Sequence, residues 1–356
     1  MTEATPTGED FLKQLHAAFR QAAARVATHT MHLDVGSSAV RLVFAGSQTR
    51  DRFAPAFEHL TALPNDGPPP DDALTVFLWD TASSGVQPPS PPWSSRHFQM
   101  RGEVSHDFDA HLRLSFRIDS GVLSFFDART RTAVCWVRDP ASMPPWEEAS
   151  PLRPILAWWA EQTGRQLAHG AAVGTREGAV LLAARGGSGK STTALAALED
   201  GMLYLGDDYV MLEPGPPLRV ASLYATAKLI PQNLDERLPA LRALVTGRHD
   251  IEQDKVTLGL HAAFASRMVK QLPLRAVVIP SVAPDGKLAL SPATGGEVLS
   301  AIAPTTLFQL PNAGGEALRR MARLLADAPR YHMALDRDLK TNLRALRALI
   351  AGESPS

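Results

Sequence analysis

Residues 178–208, GAVLLAARGGSGKSTTALAALEDGMLYLGDD, constrain the fold of this chain more than any other stretch. The apolar run 179–183 is short and bounded by glycine, which predicts a buried strand. It leads into Ala184-Arg185-Gly186-Gly187-Ser188-Gly189-Lys190-Ser191. Small residues there let successive backbone N–H groups turn inward on an anion. The helix predicted from Lys190 to about Leu198 aims its positive dipole end at the same point. The pattern is that of a P-loop with Ala184 where a first glycine usually stands. Arg185, Gly186, Gly187, Ser188, Gly189, Lys190, Ser191 and Thr192 are the expected phosphate-binding residues. Lys190, read as an exposed loop lysine, would neutralise phosphate charge, and the Ser191 hydroxyl would ligate Mg²⁺. A purely structural glycine-rich turn would have no reason to carry both a strand before it and a helix after it.

Seventeen positions beyond Lys190, two apolar runs bracket the adjacent carboxylates Asp207 and Asp208. Neighbours in an extended chain point to opposite sides, so the pair could do two jobs, one holding Mg²⁺ and the other taking a proton from an incoming hydroxyl. Spacing leaves open which of the two does which. The plain alternative is a solvated Asp-Asp turn between strands. Upstream, a strand is expected over 166–173, with His169 inside it. Spacing alone leaves that histidine open between a hydrogen-bonded core residue and a site residue.

Composition bounds the rest. With 356 residues, 45% hydrophobic and 21% charged, the chain can bury a full core and is long enough for two domains. A formal net charge of −1 and the lack of like-charge runs give no support to a nucleic-acid or anionic-membrane partner. No stretch approaches the length of a membrane span, and the first 27 residues carry acidic side chains and no apolar signal core, so a cytoplasmic protein is expected. The single cysteine, Cys135, lies in an apolar run and reads as a buried strand thiol, which leaves no disulfide framework or cysteine zinc site within one chain.

In chain order, Phe11, Leu15, Ala18 and Phe19 predict an amphipathic helix over about 8–27. Strands are expected at 31–35 and 39–44, joined by a hairpin turn, and again at 74–79, 112–116, 122–126 and 133–137, with a helix at about 51–60. Proline-rich breaks fall at 65–70 and 85–93, and a domain boundary is expected near 139–150. The front half is therefore a smaller, strand-rich α+β domain, residues 1–150, followed by an α/β P-loop domain, residues 151–356. In the second part, Lys228 and Lys255 are basic residues that either reach a phosphate or snorkel to solvent. Thr305 and Thr306 read as turn caps. Terminal helices are expected at about 315–327 and 338–349, with a strand at 331–335.

The series LAHGAAVG, ARGGSGKST and LGDDY resembles the catalytic domain of the bacterial HPr kinase/phosphorylase family, whose fold is shared with ATP-dependent phosphoenolpyruvate carboxykinase. The resemblance covers about residues 151–350. The segments SLYATAKL, LPLRAVVIP and APTTLFQLPNAG bring the chain closer to a divergent branch that includes serine kinases of lasso-peptide and other ribosomal-peptide gene sets. The resemblance implies ATP and Mg²⁺ as cofactors, a peptide or protein acceptor bearing a hydroxyl, and catalytic positions at His169, Asp207 and Asp208 beside Lys190 of the loop, with Asp207 favoured as the base and Asp208, with Ser191, as the metal holder. The parent family's Glu-Val/Ile-Arg-Gly-Leu-Gly signature has no counterpart here, which counts against phosphorylase activity and against HPr as the acceptor. The expected function is ATP-dependent phosphoryl transfer to serine or threonine. A nucleotide-binding switch built on the same residues is the alternative, and homo-oligomerisation is left open.

Overall fold

The computed structural model describes residues 7–63, 70–99, 101–104, 110–250, 254–283 and 285–353. The proline-rich break expected at 65–70 lies outside them except for Pro70. The chain divides into two compact units. The first comprises Met1–Ala54, Thr61–Thr163 and Gln309–Asn312, and the second Pro55–Leu60, Gly164–Phe308 and Ala313–Ser356. The main division thus falls at Thr163 and Gly164, and the helix Arg153–Gln162, expected in the second domain, belongs to the first unit.

The first unit is built on a six-stranded sheet. Its strands are β1 (Thr28–Val35), β2 (Ser38–Ala45), β3 (Leu74–Asp80), β4 (Leu112–Arg117), β5 (Val122–Asp127) and β6 (Thr132–Val137), in the order β1-β2-β3-β6-β5-β4. The β1–β2 hairpin and the β4-β5-β6 meander are antiparallel, while β3 pairs parallel with β2 and β6. The helix Gly8–Ala23 starts at a capping box formed by Thr7 and Asp10. Its apolar stripe, with Phe11, Leu15 and Phe19, packs in a core with Trp79, Leu114, Phe125 and Val134. Cys135 is buried in β6, as its apolar surroundings predict.

The second unit holds a nine-stranded mixed sheet. Its strands are β7 (Gln166–His169), β8 (Ala171–Thr175), β9 (Gly178–Leu182), β10 (Leu203–Gly206), β11 (Tyr209–Glu213) and β12 (Arg219–Ala221). A separate three-stranded sheet, ordered β13-β15-β14, uses β13 (Thr226–Leu229), β14 (Val245–Asp250) and β15 (Lys255–Gly259). The large sheet is completed by β16 (Gln271–Val282), β17 (Ala289–Pro292) and β18 (Arg330–Leu335). Its main path is β10-β8-β9-β16-β12-β11-β7, with β18 parallel to β16 and β17 antiparallel to β18.

Strand β9 is apolar at every position because both of its faces are covered. Val180 and Leu182 face a core with Leu195 and Leu198 of the helix Lys190–Glu199 and Leu346 of the helix Leu339–Ala351. Ala179, Leu181 and Ala183 face the opposite core, with Val298 and Ile302 of the helix Gly295–Leu307 and Met321 of the helix Gly315–Leu324. The parallel pairing of β9 with β16 places the loop that follows β9 at the end of two central strands. Among the described residues no helix is long and apolar enough to cross a membrane.

The stretch 166–173 is two strands rather than the single one expected. β7 pairs with β11, while β8 pairs with β9 and β10. The break is at Gly170, where an added Cβ would stand 2.8 Å from the Leu182 carbonyl oxygen. Only glycine lets the chain pass that close to β9 as it leaves one partner for the other.

Candidate active site

Four segments of the second unit converge at the end of β9: the glycine-rich loop, the Asp207-Asp208 turn, the end of β7 and the middle of β13. The loop turns into the helix Lys190–Glu199 through Gly187 and Gly189, both at positive φ. At Gly189, with φ of 92°, the position is also crowded, since a Cβ would meet Leu335 Cδ1 at 2.5 Å. A Cβ on Gly186 or Gly187 would meet nothing within 4 Å, so the loop faces open space there. The Ser188 Oγ is buried without a hydrogen-bond partner among the described residues.

Lys190 is not the exposed loop lysine expected from the sequence. It is 7% exposed, and its Nζ donates to the carbonyl oxygens of Ala184 at 2.6 Å and Arg185 at 2.9 Å. The loop is thereby wrapped around its own lysine, with one ammonium hydrogen left for another acceptor. Burial lowers the Lys190 pKa, and the Lys255 charge works in the same direction against the nearby Asp207 and Asp208.

The two carboxylates lie where β10 gives way to β11. They do not point to opposite sides of an extended chain, because Asp208 is in the left-handed region with φ of 74°. That backbone is uncommon for a residue with a side chain, though aspartate tolerates it better than most. It is held in place by a hydrogen bond from the Gly170 N–H to the Asp208 carbonyl oxygen at 3.1 Å. The turn is not a solvated one. Asp207 is 3% exposed, and its Oδ1 accepts the Ser191 hydroxyl at 2.9 Å while its Oδ2 accepts the Lys228 backbone N–H at 3.2 Å. Asp208 Oδ1 lies 3.0 Å from His169 Nε2, and its Oδ2 accepts the Lys228 ammonium at 2.8 Å. The expected pairing of Ser191 with Asp208 is therefore reversed: the left-handed turn swings Asp208 toward β7 and leaves Asp207 facing the helix start.

Electrostatics separates the pair further. Burial, and then the Asp208 charge, raise the Asp207 pKa against the hydrogen bonds from Lys228 and Ser191. Burial acts in the same direction on Asp208, but the Lys228 ammonium and His169 outweigh it and hold that carboxyl well below the usual range. One carboxylate is thus short of positive charge and the other is amply supplied.

His169 comes from the end of β7, paired with Tyr209 across the sheet. The Tyr209 ring meets the imidazole edge-on at 5.3 Å, and the His169 Nδ1 atom is buried without a hydrogen-bond partner among the described residues. Its backbone N–H donates to Thr306 Oγ1 at 2.9 Å, and that hydroxyl donates to Ile302 O. Thr305 and Thr306 therefore lie in the helix Gly295–Leu307 rather than capping a turn, and Thr306 helps to fix the His169 backbone. Periodicity could not have shown this, because the contact spans 137 positions of sequence. Lys228 was legible only as a lysine in an apolar strand. In the structure it binds both carboxylates, one through its backbone and one through its side chain.

No family model matches the chain, and no curated protein does. Among solved structures it is similar to the Hpr(Ser) kinase/phosphatase from Coxiella burnetii, with 14% identity over 51% of this chain and 93% of that one, at a TM-score of 0.30. A likeness this slight leaves the reading of the site to its own geometry.

Proposed function

We propose that the chain is a P-loop phosphotransferase that moves the terminal phosphoryl group of ATP to a serine or threonine hydroxyl of a peptide or protein. The observation that carries this reading is the split carboxylate pair at the mouth of the glycine-rich loop. Asp207 is bonded to the first hydroxyl of the loop's helix, and Asp208 is bonded to a histidine and a lysine. Phosphoryl transfer asks mainly for positioning and charge neutralisation, which such a set supplies.

The donor set fits Mg²⁺. That ion keeps several waters and takes one or two protein oxygens beside substrate phosphates. Ser191 Oγ and Asp207 Oδ1 are hard oxygen donors 2.9 Å apart, and the raised Asp207 pKa marks a carboxylate that gains from a nearby cation. Bound there, the ion would supply neutralising charge to the phosphate oxygens. Lys190 and the amides of the loop from Arg185 to Thr192 bind the phosphates. Asp208 takes the acceptor's proton, a role for which it is fully ionised at neutral pH, while His169 and Lys228 hold its two oxygens in place. The acceptor oxygen bonds to phosphorus as the bond to the leaving diphosphate breaks, and the released proton ends on Asp208. The roles of the two aspartates are thus the reverse of those expected from the sequence.

The peptide acceptor, and ribosomal-peptide tailoring as its setting, rest on the sequence resemblance. Recognition of that peptide is the role proposed for the first unit. The test is turnover of ATP by the full chain with and without serine-bearing peptides. Phosphopeptide formation that depends on Mg²⁺ supports the reading, whereas ATP hydrolysis indifferent to every added acceptor favours a nucleotide switch and contradicts it.

A further inference from the structure

Thr306 is fully buried near the end of the helix Gly295–Leu307. That helix lies against β7, with Val298, Ile302 and Ala303 sharing a core with Ala168. β7 ends the sheet, so on one side its backbone groups have no neighbouring strand to bond. The Gly170 N–H turns toward the start of β11 and donates to Asp208 O at 3.1 Å, which leaves the His169 N–H on the open side. A buried amide needs an acceptor, and Thr306 Oγ1 supplies it at 2.9 Å. A hydroxyl has a single proton, and that of Thr306 goes to Ile302 O at 2.9 Å. Its oxygen therefore meets His169 as an acceptor.

This hydrogen bond reaches beyond the backbone. The two peptide planes that flank a Cα fix the direction in which its side chain leaves. At His169 both planes are bonded, the one before through its own N–H to Thr306 and the one after through the Gly170 N–H to Asp208 O. From that fixed point the imidazole brings Nε2 to 3.0 Å from Asp208 Oδ1. Thr305, one residue earlier, donates to the same Ile302 carbonyl at 3.1 Å, whereas the hydroxyl on the His169 amide is that of Thr306.

The geometry points to Thr306 as a positioning residue of the phosphotransfer site: its hydroxyl holds the His169 backbone, and through it the imidazole that steadies Asp208 as the proton acceptor. This deepens the phosphotransferase reading and rests on it. The helix Gly295–Leu307 is then more than a cover for the sheet, because the aim of the acid pair depends on one hydroxyl in its last turn.

The test is steady-state phosphorylation of a serine-bearing peptide by the full chain with Mg²⁺-ATP, with calorimetric ATP titration alongside, comparing wild type, Thr306→Val, Thr306→Ser and Thr305→Val. Valine keeps nearly the shape of threonine and removes the acceptor. Thr306→Val should therefore lower kcat about tenfold or more, while ATP affinity and the KM for ATP stay within about twofold, since no phosphate ligand is touched. Serine keeps the acceptor, and Thr306→Ser should retain most of kcat. Thr305→Val disturbs the same carbonyl and the same helical turn but leaves the His169 bond, and should behave like wild type. Should Thr306→Val not fold, Thr306→Cys, whose thiol is a weak acceptor, carries the same expectation. A kcat within about twofold of wild type, a loss seen in ATP affinity instead, a loss that Thr306→Ser does not recover, or an equal loss in Thr305→Val overturns the inference alone. A wild type that forms no phosphopeptide overturns the phosphotransferase reading itself, and the inference with it.

Discussion

Replacing Lys228 by methionine tests whether the acid pair is balanced as described. The substitution keeps most of the buried stem and removes the ammonium that lies 2.8 Å from Asp208 Oδ2, with side chains 8% and 18% exposed. Removing one partner of a buried pair costs about 3–5 kcal/mol, and the partial exposure of Asp208 argues for the lower end, about 3 kcal/mol at neutral pH. At roughly 2–4 °C per kcal/mol, the thermal midpoint should fall by about 6–12 °C. The pH dependence gives a sharper signature. In the wild type the Asp208 pKa lies below its unfolded value, so the stability it contributes is present above that unfolded value and is lost only as pH falls through the lower folded one. In the variant, burial is opposed by His169 alone, and the folded pKa should rise from its wild-type position. The variant therefore protonates the carboxyl at higher pH than the wild type does, so the gap between them is smaller at a mildly acid pH than at neutral pH. Thermal unfolding of both proteins at the two pH values reads this directly. A midpoint within about 2 °C of wild type, or an equal gap at both pH values, would refute the balance.

Two further outcomes follow from the same geometry. Lys190→Ala should weaken ATP binding by at least about tenfold and also cost about 1–2 kcal/mol of stability, because two loop carbonyls lose their donor; calorimetry and denaturant unfolding measure the two effects. Gly170→Ala forces a Cβ to within 2.8 Å of Leu182 O and should cost about 1–3 kcal/mol, with a drop in kcat as the neighbouring His169 shifts; unchanged unfolding and kinetics would show that the crossing has slack.

What could be read from the sequence was local. The strand, glycine-rich loop and helix around Lys190 are contiguous, and apolar runs bounded by glycine specify them without help from distant residues. The strands of the first unit were legible from alternation and turn residues, but not the parallel contacts of β3 with β2 and β6, which join segments far apart in the chain. The split of 166–173 escaped because nothing in the run of residues marks a break, and the crossing that separates β7 from β8 at Gly170 is a contact with β9. At the site, the aspartates were visible as a pair, yet their placement on opposite sides assumed extended backbone, which the left-handed Asp208 does not keep. Thr306 and the double engagement of Lys228 are long-range contacts that no spacing encodes.

The central claim is the division of labour between the two carboxylates. Calorimetric titration with ATP, in the presence and absence of Mg²⁺, on Asp207→Asn and Asp208→Asn alongside a phosphotransfer assay, tests it most directly. Asp207→Asn should lose the increase in ATP affinity that Mg²⁺ confers, while Asp208→Asn should bind Mg²⁺-ATP like the wild type yet transfer phosphate at least about a thousandfold more slowly. The opposite pattern, or near-normal transfer by both variants, would contradict the account.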